Sequence, residues 1–153
     1  MIKLLFLLIL SITNTAYAIP RGIENNNPGN IEYNKTNKWK GQTGHDGRFV
    51  KFDTEINGIR SLVILLQNKI EGKTASSLGR KLDNIQKLGF NYAPTHENDT
   101  NKYIDCIEHY SKVNKKDIIT KDLLTQVVRG IIICENGYNP YKNLDKIVKR
   151  FIK

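Results

Sequence analysis

From Ile59 onward the apolar residues of the chain recur at helical spacing. Ile59, Leu62, Val63, Leu66 and Ile70 fall on one face and predict a helix that starts near Glu55. Leu78, Leu82 and Ile85 mark a second helix. Asn98 or Asp99 is placed to cap a third, with Tyr103, Cys106, Ile107 and Tyr110 on its inner face. Thr120 can cap a fourth, which carries Leu123, Leu124, Val127, Val128 and Ile131 to Ile133 and which Gly137 is placed to end. Leu144, Ile147, Val148 and Phe151 form the stripe of a short, lysine-rich terminal helix.

The pattern differs before Ile59. Residues 21–30, Arg-Gly-Ile-Glu-Asn-Asn-Asn-Pro-Gly-Asn, are dominated by turn formers whose side chains bond their own backbone, and predict a structured loop. Ile31 to Tyr33 can begin a short strand, and Arg48 to Asp53 reads as another. Between them lies Gly41 to Gly47, whose glycines and Asp46 suit a hairpin or a wider loop. The fold class expected is α+β, mainly α-helical with a small N-terminal β-region.

The first residues change the picture of where the chain works. Lys3 precedes an unbroken apolar run from Leu4 to Leu10, and a polar stretch then ends in Ala16-Tyr17-Ala18. That is the anatomy of a secretory signal peptide. The run is also shorter than the roughly 20 apolar residues that span a bilayer. The expectation is a leader over 1–18, cleavage after Ala18, no stable membrane insertion, and one exported domain over 19–153, periplasmic or secreted. The formal charge of the 153-residue chain is +9, and a basic surface raises the encounter rate with polyanions. For an exported monomer these are wall polymers and anionic lipids rather than nucleic acid.

Export also makes a disulfide between the two cysteines, Cys106 and Cys134, chemically permissible. Both equally suit apolar helix positions as packing thiols. His45, His96 and His109 are scattered and there is no CxxC pair, so neither a metal site nor a cofactor is expected.

The fourth helix ends Ile-Ile-Ile-Cys-Glu-Asn-Gly, placing Glu135 where an apolar run stops. Partial burial and the unpaired carbonyls of a helix C-terminus both disfavour its carboxylate. A raised pKa is what a general acid near neutral pH requires. The competing reading is a surface glutamate at a frayed helix end.

Several segments together carry a resemblance. They are Arg21-Gly-Ile23, Asn25-Asn-Asn-Pro-Gly-Asn-Ile31, Trp39-Lys-Gly41, Phe49-Val-Lys-Phe-Asp53, Gly58-Ile59, Tyr92-Ala-Pro94, Glu97-Asn-Asp-Thr100 and Glu135-Asn-Gly137. Over nearly the whole of 19–153 the chain resembles a family of small phage and bacterial proteins of lysozyme-like type, whose members are mostly called virion or structural proteins. It also resembles the glucosaminidase branch of the lysozyme superfamily, with the Glu-bearing helix moved from the front of the chain to the back, as in a circular permutation. Asn136 stands where that branch commonly has Ser or Thr, and the segment 92–99 is longer than its counterpart.

The resemblance implies that Glu135-Asn-Gly137 lies in space beside Asn25 to Asn30, and that the activity is cleavage of peptidoglycan glycan strands by a glucosaminidase, muramidase or lytic transglycosylase route. Asp46 and Asp53 are then candidates for a second catalytic carboxylate, each equally suited to a turn or cap. Asn27, Asn30, Trp39, Tyr92, Asn98 and Asp99 are the candidate substrate contacts, with helix capping an alternative role for Asn98 and Asp99. The competing class is a non-catalytic wall-binding or virion-assembly protein on the same fold.

Overall fold

The computed structural model describes residues 18–92 and 99–153. The leader expected over 1–18 lies outside them except for Ala18, as does the candidate contact Asn98. The elements run α1 (Arg21–Glu24), β1 (Gln42–His45), β2 (Val50–Phe52), α2 (Glu55–Ile70), a 3-10 turn (Ala75–Ser77), α3 (Ile85–Tyr92), α4 (Thr100–Ser111), α5 (Lys121–Asn136) and α6 (Leu144–Lys149). The fold is α+β and mainly helical, with one two-stranded antiparallel sheet.

The helical stripes bury as their spacing demands. Thr54 caps α2 by accepting from the Asn57 amide, and Ile59, Leu62, Val63 and Leu66 are fully buried on one face. Helix α5 contributes Val127, Val128, Ile131 and Ile132, and α4 contributes Ile104 and Ile107, to the same core. The most extensive helix packing is between α4 and α5, with α3 against α4 and α6 bridging α2 and α5. Gly137, at φ 80°, ends α5 in the left-handed conformation that other residues adopt at a cost. Thr120 precedes α5 without making a side-chain cap bond.

Three expectations are corrected. The helix proposed through Leu78, Leu82 and Ile85 begins only at Ile85, where the Asn84 side chain accepts from the Lys87 amide at 2.9 Å. Leu78 itself is 77% exposed, at φ 51° in a turn. The second strand of the hairpin is not Ile31 to Tyr33, which makes only an isolated bridge from Glu32 to Phe49, but Gln42–His45 from the presumed glycine loop. Residues 21–24 of the supposed loop form one helical turn.

Cys106 and Cys134 are bridged, with Cα atoms 6.0 Å apart, so the disulfide ties α4 to α5. Among the described residues no helix is long and apolar enough to cross a membrane, and no group of His, Cys, Asp or Glu is arranged to hold a metal ion.

Candidate functional site

The asparagine-rich segment is rigid because its side chains replace missing backbone partners. Asn27 is completely buried. Its amide donates to the Ile31 and Val50 carbonyls, both at 2.9 Å, and its oxygen accepts from the Ile31 amide at 2.9 Å. Asn26 donates to the Phe52 carbonyl at 3.1 Å. Asn26 and Asn30 take positive φ values of 52° and 46°, a region that asparagine tolerates better than most residues. The loop is thereby fastened to β2 and turned so that Asn30 points toward α5.

There the asparagine loop meets the last turn of α5. Asn30 Nδ2 donates to Glu135 Oε2 at 2.8 Å, and Asn136 Nδ2 donates to the Pro28 carbonyl at 2.8 Å. The other Glu135 oxygen accepts from the Tyr103 hydroxyl of α4 at 2.5 Å. The Tyr103 ring stacks on Tyr92 with centroids 6.2 Å apart, and the Tyr92 hydroxyl donates to the Gly29 carbonyl. Asn30, Tyr92, Tyr103 and Glu135 thus form one connected patch of wall.

The patch faces a groove of about 750 Å³. Trp39, Glu32 and Arg48 line it from the N-terminal region, Lys69 from the end of α2, and Asp99 and Lys102 from the start of α4. Burial raises the pKa of Glu135, an effect larger than the opposing hydrogen bonds from Tyr103 and Asn30 and the charge of Arg48. Burial also holds the Tyr92 and Tyr103 hydroxyls well above their usual pKa, so Tyr103 stays a donor. The groove floor therefore offers a carboxyl group whose proton is held more tightly than usual.

Of the residues singled out in the sequence, the structure brings Glu135, Asn30, Trp39, Tyr92 and Asp99 to this groove. Asp99 also caps α4, accepting from the Lys102 amide at 3.2 Å and pairing with Lys102 Nζ at 3.0 Å. Asn27, Asp46 and Asp53 are not among its lining. Asn27 is consumed by the loop. Asp46 receives a two-pronged bond from Arg21 at 2.6 and 2.8 Å, a bond from Asn25 at 2.5 Å and the amides of Arg48 and Phe49. With every oxygen engaged, and Arg21 the largest influence, its carboxyl is held far below the usual range. It is a fastener of the hairpin turn. Asp53 sits before the α2 cap, accepting from Asn57 at 2.8 Å and Thr54 at 3.2 Å.

Of the groove residues that the sequence did not single out, Tyr103 and Lys69 bear most on its chemistry. Tyr103 was visible as an inner-face residue of its helix, but nothing in its spacing said that its hydroxyl meets Glu135. Lys69 carried a signal that went unused. It lies three residues after Leu66 and seven after Leu62, on the apolar face of α2.

No family model matches the chain. Protein P5 of Pseudoalteromonas phage PM2 is 31% identical to it over 135 residues, covering 86% of this chain and 79% of that protein. With that identity over most of both sequences, the chain belongs to the family of phage PM2 Protein P5.

Proposed function

We propose that the protein is an exported, lysozyme-like enzyme that cleaves the glycan strands of peptidoglycan, with Glu135 as its catalytic acid. The observation that carries this reading is a carboxyl of raised pKa on the floor of a 750 Å³ groove, held by Asn30 and Tyr103. A groove with one aromatic wall and several amide and hydroxyl groups suits a sugar chain, whose ring faces stack and whose hydroxyls bond. Trp39 and Tyr92 are the stacking candidates, and Asn30 and Asp99 the polar ones.

In the proposed step Glu135 gives its proton to the glycosidic oxygen as the bond from that oxygen to C1 breaks. The resulting carboxylate then receives a proton from the group that attacks C1. Both hydrolytic routes ordinarily use a second carboxylate. Of the other groove carboxylates among the described residues, Glu32 is 63% exposed and paired with Arg48 at 2.7 Å, and Asp99 is a cap. This favours a route in which Glu135 serves as acid and then as base while the sugar's own C6 hydroxyl attacks, the lytic transglycosylase course.

One observation supports the non-catalytic alternative. Both Glu135 oxygens already accept bonds, so the residue could simply join the loop, α4 and α5. Incubating purified sacculi with the protein and identifying the released ends separates these readings. Anhydro ends support the transglycosylase course, reducing ends support hydrolysis, and no release supports wall binding or assembly.

A further inference from the structure

Among the described residues, Lys69 is the one charged side chain that is buried. The residue is only 7% exposed, yet among the described residues its Nζ meets neutral hydrogen-bond partners, Ser76 Oγ at 3.0 Å and Asn91 Oδ1. No carboxylate among the described residues lies within ion-pair distance. An isolated buried charge is costly, and natural cores place one only where it is paired or used. Burial accordingly depresses the pKa of this lysine.

Lys69 and both of its partners line the same groove as Glu135. Nζ also lies 6.0 Å from the centroid of the Tyr92 ring, whose other neighbour is Tyr103. The acid and the cation are therefore joined through two stacked tyrosines along one wall. Ser76 and Asn91 accept two of the three ammonium protons, and no acceptor among the described residues takes the third. A purely structural tie between the end of α2 and α3 needs no charge, since a glutamine could bond the same serine and asparagine.

We infer that Lys69 forms an anion subsite of the groove, one that binds a carboxylate carried by the glycan chain and so selects acidic strands over neutral ones. The inference rests on the glycan-cleaving reading and adds a specificity determinant to it. Two carboxylate sources exist on such strands, the lactyl ether of the muramic residue itself and the peptide stem attached through it. The chemistry at Nζ is the same for both, a charge-assisted bond in a water-poor site.

The test is equilibrium binding by the full chain with Glu135→Gln, which keeps the probes intact. Three peptidoglycan tetrasaccharides serve as probes: one stripped to free lactyl carboxylates, one bearing peptide stems, and the stripped one with its carboxylates converted to primary amides. At least one acidic probe should bind about 10- to 100-fold more tightly than the amide, as a hydrogen bond to a charged group allows, and which one identifies the source. Lys69→Met should erase that preference while still binding the amide. With Lys69 intact, the Lys69 ¹⁵Nζ resonance should move with the preferred acid and not with the amide, which tests the claim even if Lys69→Met fails to fold. Equal binding of all three probes, or a preference that survives in folded Lys69→Met, overturns the subsite and leaves the glycan reading standing. Binding of none of them overturns the glycan reading, and the subsite with it.

Discussion

Asn30 and Glu135 stand 105 residues apart in the chain and 2.8 Å apart in space. The contact joins a loop held rigid by buried asparagine to the last turn of α5. It leaves Glu135 between two opposed influences, burial that favours its neutral form and two donors that favour its charged form.

Those influences can be separated at Tyr103. Its hydroxyl bond lowers the pKa of Glu135, so Tyr103→Phe should raise it further. For an enzyme that needs this carboxyl protonated, the alkaline limb of the pH profile of kcat/KM reports that group. The limb should move to higher pH in Tyr103→Phe. A limb that stays in place, or moves down, contradicts the assignment of the limb to Glu135.

Stability should carry the same signature. A carboxyl whose folded pKa lies above its unfolded value of 4.5 contributes stability that is present below pH 4.5 and lost as pH rises through the folded pKa. Measured against Glu135→Gln, which does not titrate, wild type should therefore gain relative stability as pH falls from 7 to 4. Urea unfolding at the two pH values checks this, and a difference independent of pH counts against a raised pKa.

Asp46 should behave in the opposite way. Its folded pKa is depressed, so its contribution is complete above the unfolded value of 3.8 and is lost as pH falls below it. Asp46→Asn should lower the melting temperature at pH 7, by less at pH 3, and leave glycan cleavage by the folded protein unchanged. Loss of cleavage in a stably folded Asp46→Asn protein would return Asp46 to the list of catalytic carboxylates.

The disulfide closes a loop of 28 residues between α4 and α5, beside the Tyr103 to Glu135 bond. Chain-entropy reasoning gives about 3 to 4 kcal/mol for a loop of this size. Reduction, or paired Cys→Ala substitution, should lower unfolding free energy by that order in urea titrations. Equal midpoints with and without reductant would mean that the bridge adds no net stability to the folded domain.

Much of this arrangement was legible in the residues. The stripe from Ile59 to Leu66, the apolar run of α5 and the stop at Gly137 follow from period and capping alone, because helices announce themselves within a few residues. That Glu135 lies beside Asn25 to Asn30 came from the resemblance, since no local pattern encodes a contact across 105 residues. The hairpin was misplaced because Gln42-Thr-Gly-His45 lacks the alternating apolar signal of a strand, and its pairing with β2 is irregular between Gln42 and Gly44. For Asn27 and Asp46 the sequence leaves the role open, because polar side chains in loops serve binding and backbone bonding alike, and the structure shows them bonded outside the groove lining. Only their partners distinguish the two.

The close approach of the asparagine loop to α2 depends on Gly58. A Cβ there would lie 1.7 Å from the Asn26 carbonyl oxygen, which is backbone and cannot turn aside. Gly58→Ala should therefore cost about 1 to 3 kcal/mol or more, as forced overpacking does, and should disturb the loop that carries Asn30. Thermal denaturation measures the first effect. An unchanged melting temperature would show that the loop can withdraw from α2 at little cost.

The central claim concerns the proton on Glu135, and Glu135→Gln tests it most directly. Gln preserves volume and can still bond Tyr103 and Asn30, but it has no proton to give a leaving glycosidic oxygen. General acid catalysis of this kind typically contributes about 10²- to 10⁴-fold. The account predicts a folded variant whose release of glycan fragments from purified sacculi falls by that order, whereas release at the wild-type rate by folded Glu135→Gln protein would contradict it.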